Sequence, residues 1–162
     1  MMDWFVTRFL KASLAWFGAG ITLGVLMAVR PAFTIYRTAH LHMNMLGFVA
    51  MMIFGVAYHV IPRFSGHPLH SRALAGAHWW LANVGLALFA SGFALVPHLG
   101  RPALALVALG GVASAAGGYC FIYNLWRTID GHEAARRARD TVARAAAASA
   151  PARRLPVAEA PR

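Results

Sequence analysis

From Trp4 to Ile129 the chain contains neither aspartate nor glutamate. That gap is too long for a soluble domain. A charged side chain at the centre of a bilayer costs about 2.5–3.5 kcal/mol, so a long acid-free and apolar stretch marks serial membrane spans. Four are expected: roughly Phe9 to Val29, Thr38 to Ile61, Leu74 to Val96 and Leu104 to Trp126. Each is close to the roughly 20 residues that a hydrocarbon core requires. Pro31, Pro62 with Arg63, and the segment from Pro97 to Pro102 are expected to break the helices between spans. The expected fold is an all-α membrane protein, an antiparallel bundle of four transmembrane helices.

The arginines set the orientation. With the N-terminus in the cytoplasm, Arg8, Lys11, Arg63, Arg72 and the basic tail lie inside, whereas Arg30, Arg37 and Arg101 lie outside. Both termini are then cytoplasmic, and the expected location is the inner membrane of a bacterium. A signal peptide would account for Arg8 and Lys11, but the apolar run is long and no small-residue cleavage site follows it. The net charge of +10 raises nucleic acid as a partner, yet eight of the fifteen basic residues lie from Arg127 onward. A basic tail beside anionic lipid is the simpler account, with no nucleic acid partner. Residues 1–129 are therefore read as the membrane domain and 130–162 as a basic Ala/Arg-rich tail. From Gly131 to about Ala148 the tail suits a surface helix, and beyond Ser149 its composition suits disorder. The single Cys120 falls in the fourth span and is read as packing.

Histidines carry the chemistry. His40 and His42 open the second span and share a membrane level with His98, which ends the third. His59 and His78 lie near the opposite surface on consecutive helices, and His78 is the expected neighbour of His59. His42 and His59 are also expected on one stripe of a regular helix, roughly 25 Å apart, an arrangement suited to a two-site electron path. His40 points about 200° away from His42 on such a helix, so the two do not easily serve one iron. His67, His70 and His132 are read as locally satisfied.

Imidazoles without carboxylates or paired cysteines suit haem iron or copper better than structural zinc. Gly47, Gly55, Gly85, Gly92, Gly110, Gly111, Gly117 and Gly118 either bring helices close or leave a slot for a flat macrocycle. Phe48, Phe54, Trp79, Trp80 and Phe89 are candidate walls for a porphyrin. Arg37 is placed to meet a propionate or to snorkel to the headgroups. Met43, Met45, Met51 and Met52 do not repeat on one stripe and are read as packing. Acid–base catalysis inside the membrane is disfavoured, because the spans hold no carboxylate.

The stretch Arg37-Thr-Ala-His40-Leu-His42-Met-Asn44, following a first span that ends in Pro31-Ala-Phe, resembles the first two helices of heme-copper oxidase subunit I. It is most similar to the cbb-type oxidases, whose second helix opens with Arg and then His-x-Asn. In that family the histidine of His-x-Asn is an axial ligand of the low-spin haem b, which implies the same role for His42. The pattern from His40 to Pro68 also resembles the NnrS membrane proteins, associated with haem, copper and nitric oxide stress. The family's high-spin haem and copper ligands lie on later helices, so the resemblance implies no oxygen-reducing centre in these four spans. Its second low-spin ligand also comes from a late helix, leaving that place to His98 or to a histidine of another subunit.

The resulting expectation is a membrane protein binding one or two haems b through His42, His98, His40, His59 and His78, with Arg37 as a propionate partner. It would act in electron transfer or in the response to oxygen or nitric oxide, as a homo-oligomer or with redox-complex subunits. The alternative is copper or haem handling for a respiratory oxidase.

Overall fold

A computed structural model of the chain describes residues 2–149. Among them there is no strand; four helical segments are long and apolar enough to cross a membrane. The first is α1, Trp4–Val29. The second is composite: a 3-10 stretch at Pro31–Tyr36, α2 at Arg37–His42, a π-helical stretch at Met43–Ala50 and α3 at Met51–Ser65. The third and fourth are α4, Arg72–Leu99, and α5, Arg101–Ser149. The expected disorder beyond Ser149 lies outside the described residues.

Helix boundaries differ from the sequence expectation in an instructive way. Pro62 and Pro97 do not break their helices, which run on to Ser65 and Leu99. Each lies in the last turn, so its missing N–H removes one hydrogen bond to the carbonyl four residues earlier while only two or three helical residues remain to follow it. The chain stops instead at Gly66 and Gly100, both at positive φ (62° and 65°), a conformation that costs glycine nothing. The turn between α3 and α4 is closed by Ser71, whose side chain accepts the Leu74 N–H at 3.2 Å. Asp3 sits at the N-cap position of α1 without a side-chain capping bond, its carboxylate being paired with Arg72 at the same end of the molecule. The fourth span also outruns its expected limit at Trp126, because α5 continues without interruption into the basic segment.

Most large apolar side chains point outward: Leu14, Ile21, Val25, Val112 and Ile122 are all exposed, as lipid-facing residues are. The interior is made differently. Phe5, Phe9, Met51, Tyr58 and Leu86 form the core with Ala75, Ala82 and Ala90. α4 and α5 meet through glycine: a Cβ added to Gly110 would lie 2.4 Å from the Phe89 backbone nitrogen. One added to Gly92 would lie 2.7 Å from the Val107 nitrogen. Lipid gives apolar side chains no drive to associate, so such close backbone contact supplies the packing instead. Gly92 and Gly110 thus act in helix contact, whereas Gly118 has open space beside it. Of the methionines read as packing, Met51 lies in the core and Met43 packs against it, whereas Met45 is exposed. Cys120 is a free, half-buried thiol.

Candidate functional site

The histidines have separate surroundings, set by the helix face each occupies. His40 faces α1: its Nδ1 lies 3.0 Å from the Gly20 carbonyl. Asn44, one turn on, donates to the His40 carbonyl at 2.9 Å. Two α1 glycines admit this pair, since a Cβ at Gly20 would come within 2.7 Å of the Asn44 amide and one at Gly24 within 3.0 Å of the His40 ring. His40 is thus committed to holding α1 against α2. The asparagine of the His-x-Asn pattern contacts His40, not His42.

His42 faces the other way. Its ring stacks on Phe93 of α4 at 4.9 Å and meets the edge of Phe89 at 4.6 Å. Its Nδ1 donates to the Thr38 carbonyl at 2.8 Å. That bond fixes the proton on Nδ1 and leaves the Nε2 lone pair available, the arrangement found when a protein orients a metal-ligating imidazole. Nε2 has no hydrogen-bond partner among the described residues.

His98 pairs with Tyr36, its Nε2 2.8 Å from the phenol oxygen. This pair borders a cleft of about 480 Å³ between α1, α2 and α4, whose lining includes Trp16, Ala39, Met43 and Ala90. His42 does not line it. Arg37 opens α2, exposed and without an ion pair among the described residues.

The other two histidines are not neighbours, contrary to the sequence expectation. Arg63 donates to His59 Nδ1 at 2.7 Å and to the His59 carbonyl at 2.9 Å. The residue beside His78 is Tyr58, one position earlier and 100° round the helix, with its hydroxyl 3.1 Å from His78 Nδ1. His78 is fully buried, its ring packed by Phe9 at 4.8 Å, Phe54 at 4.6 Å and Phe121 at 5.4 Å. Nor do His42 and His59 share a stripe. Seventeen steps of about 100° leave them about 100° apart even on a regular α-helix, and the π-helical stretch between them changes the turn per residue.

Among the described residues, no three His, Cys, Asp or Glu side chains converge on a metal-sized site. His42 presents an oriented imidazole with a free ring nitrogen. Of the proposed porphyrin walls, Phe89 flanks His42, whereas Phe48 stacks on Phe17 and Trp79 meets Trp4, Trp80 and the Arg8 guanidinium. Tyr36, Tyr58 and Ser114 were not legible as site residues, although each tyrosine lies within a turn of a histidine in the sequence.

Residues 2–131 match the family described as cytochrome c and quinol oxidase polypeptide I. The cbb3-type cytochrome c oxidase subunit CcoN1 of Stutzerimonas stutzeri is 29% identical over 154 residues, covering 76% of this chain and 32% of the relative. Cytochrome c oxidase subunit 1 of Rhodobacter capsulatus is 27% identical over 154 residues, covering 76% and 29%. A cytochrome c oxidase subunit 1 homologue of Agrobacterium tumefaciens is 26% identical over 159 residues, covering 79% and 29%. The chain spans about a third of the length of these relatives.

Proposed function

The chain belongs to the cytochrome c and quinol oxidase polypeptide I family, and from that premise we propose that it is a haem b-binding membrane protein acting in electron transfer. The observation that carries this reading is the state of His42. Its ring is clamped by Phe89 and Phe93, its Nδ1 proton is given to the Thr38 carbonyl, and its Nε2 is left as a lone-pair donor. Held between two imidazoles, a haem supplies a one-electron couple whose potential is set by burial and by hydrogen bonds to the ligands. The Thr38 carbonyl is such a bond, and it makes His42 a stronger donor.

A second imidazole for the haem would come from His98 or from a histidine of another subunit. His98 would first have to leave Tyr36, which favours the other subunit, in keeping with relatives named as subunits of cytochrome oxidases. The helices run alternately across the membrane with both termini on the cytoplasmic side of a bacterial inner membrane. The balance of Arg8, Lys11, Arg63 and Arg72 against Arg30, Arg37 and Arg101 supports that orientation. His59 and His78 take no part in this reading: Arg63 donates to His59 Nδ1, which puts that ring's proton on Nε2, and the free nitrogen of His78 is buried beside a space far too small for a porphyrin. A response to oxygen or nitric oxide would be another use of a haem held by His42.

A reduced-minus-oxidised spectrum of purified membranes, with a pyridine haemochrome assay, tests the reading. A haem b spectrum is expected, lost in His42→Ala and retained in His59→Ala. A spectrum unchanged in His42→Ala removes that residue as a ligand. Loss in His98→Ala would assign the second ligand to this chain.

A further inference from the structure

Three buried side-chain polar atoms lack a hydrogen-bond partner among the described residues: His78 Nε2, Trp79 Nε1 and Ser114 Oγ. Two of them, on different helices, line the same narrow chamber. It has a volume of about 60 Å³, and its other walls come from Leu46, Ala50, Met51, Phe54, Ala82 and Leu86. Leu46 and Ala50 belong to the π-helical stretch and Met51 opens α3, so the chamber lies where the second span departs from regular helix. The packing does not relieve the polar atoms by itself. Ser114 is wedged against Gly85, where an added Cβ would lie 2.6 Å from its hydroxyl, and His78 is held on its other nitrogen by Tyr58.

Leaving a buried donor or acceptor unpaired costs about 1–3 kcal/mol, and a bilayer core offers no water from outside to relieve it. A water molecule needs about 10–15 Å³ of such space and occupies about 30 Å³ in the liquid, so the chamber accommodates one or two. We propose that it is a water-binding site, in which ordered water bridges His78 Nε2 and Ser114 Oγ and extends the Tyr58–His78 pair into a four-membered buried hydrogen-bond chain. The ligand class follows from the two polar atoms: a small neutral molecule that both donates and accepts. A porphyrin is far too large for the space. An apolar gas would fill it yet leave both atoms unpaired. The site is independent of the haem reading, because neither His42 nor His98 contributes to it.

The test uses the full chain in lipid nanodiscs with ¹⁵N-labelled histidine. Solid-state NMR with magnetisation transferred from water should reach the His78 ring nitrogens, identified by their absence in His78→Phe. The transfer should be lost in Ser114→Val and retained in Ser114→Thr, which keeps the hydroxyl. No transfer to His78 in the wild-type chain overturns the proposal. Pressurised xenon gives a second measurement that needs no variant: water-filled space should exclude it. Xenon-induced shifts at Phe54 and Leu86 would identify a dry apolar chamber and likewise overturn the proposal.

Discussion

At the end of the molecule where Trp4 and Tyr58 lie, Phe9 and His78 are completely buried, and the ring of His78 touches Phe9, Phe54, Tyr58 and Phe121. At the end where Tyr36 and His98 lie, His42 is only half-buried against Phe89 and Phe93 of α4, and the Tyr36–His98 pair borders an open cleft. Both ends combine histidine, tyrosine and phenylalanine. The difference is what surrounds the imidazole: one ring is enclosed by aromatic side chains from three other helices, so that its free nitrogen meets only a small buried space, while the other is oriented with its free nitrogen outside any such enclosure. A histidine inside a membrane is thus a functional candidate only once its neighbours have been counted.

Removing one phenylalanine from each end gives the largest contrast. Phe9→Ala should destabilise the fold by about 3–5 kcal/mol, as expected for an aromatic deleted from a filled core, whereas Phe93→Ala, half-buried beside His42, should cost clearly less. Unfolding in mixed detergent measures both, and equal losses would break the distinction between a closed and an open end. A smaller contrast comes from the hydroxyls. Tyr58→Phe strips His78 Nδ1 of its partner in the interior and should cost about 1–3 kcal/mol, while Tyr36→Phe removes an exposed bond and should cost about 0.5 kcal/mol. The same unfolding curves report it, and a larger loss for Tyr36→Phe would show that the cleft end is the tighter one. The smallest effect is expected at Asp3, whose pairing with Arg72 is at the surface. Asp3→Asn should change stability by no more than about 1 kcal/mol, and the change should shrink as salt is added. A salt-independent loss would mean that the pair anchors the closed end.

The spans were legible because a bilayer leaves no choice: every backbone group must be bonded within the segment, and an acid-free apolar run long enough to cross can only be a helix. The opposite directions of His40 and His42 were legible for a similar reason, since two residues on one regular turn differ by a fixed angle. What escaped was whatever depended on a neighbouring helix. That Asn44 serves His40 depends on Gly20 and Gly24, some twenty residues away. That His78 meets Tyr58 rather than His59 turns on one position of helical phase. Continuation past Pro62 and Pro97 escaped because a proline signals a lost hydrogen bond without saying whether the last turn needs it. The π-helical stretch left no mark in local composition.

α5 is 49 residues long. At 1.5 Å per residue that is about 74 Å, more than twice the roughly 30 Å of a hydrocarbon core. A continuous helix of this length acts as a strut: one part is fixed against α4 by glycine contacts, and roughly 40 Å remains to reach beyond the apolar layer. Arg136, Arg137, Arg139 and Arg144 ride on that projecting part, so their distance from the bilayer is tied to the position of the glycine seam. A one-turn slip of α5 at Gly110 would carry every one of those charges about 5.4 Å along the axis, converting a rearrangement between helices into a displacement at the water side.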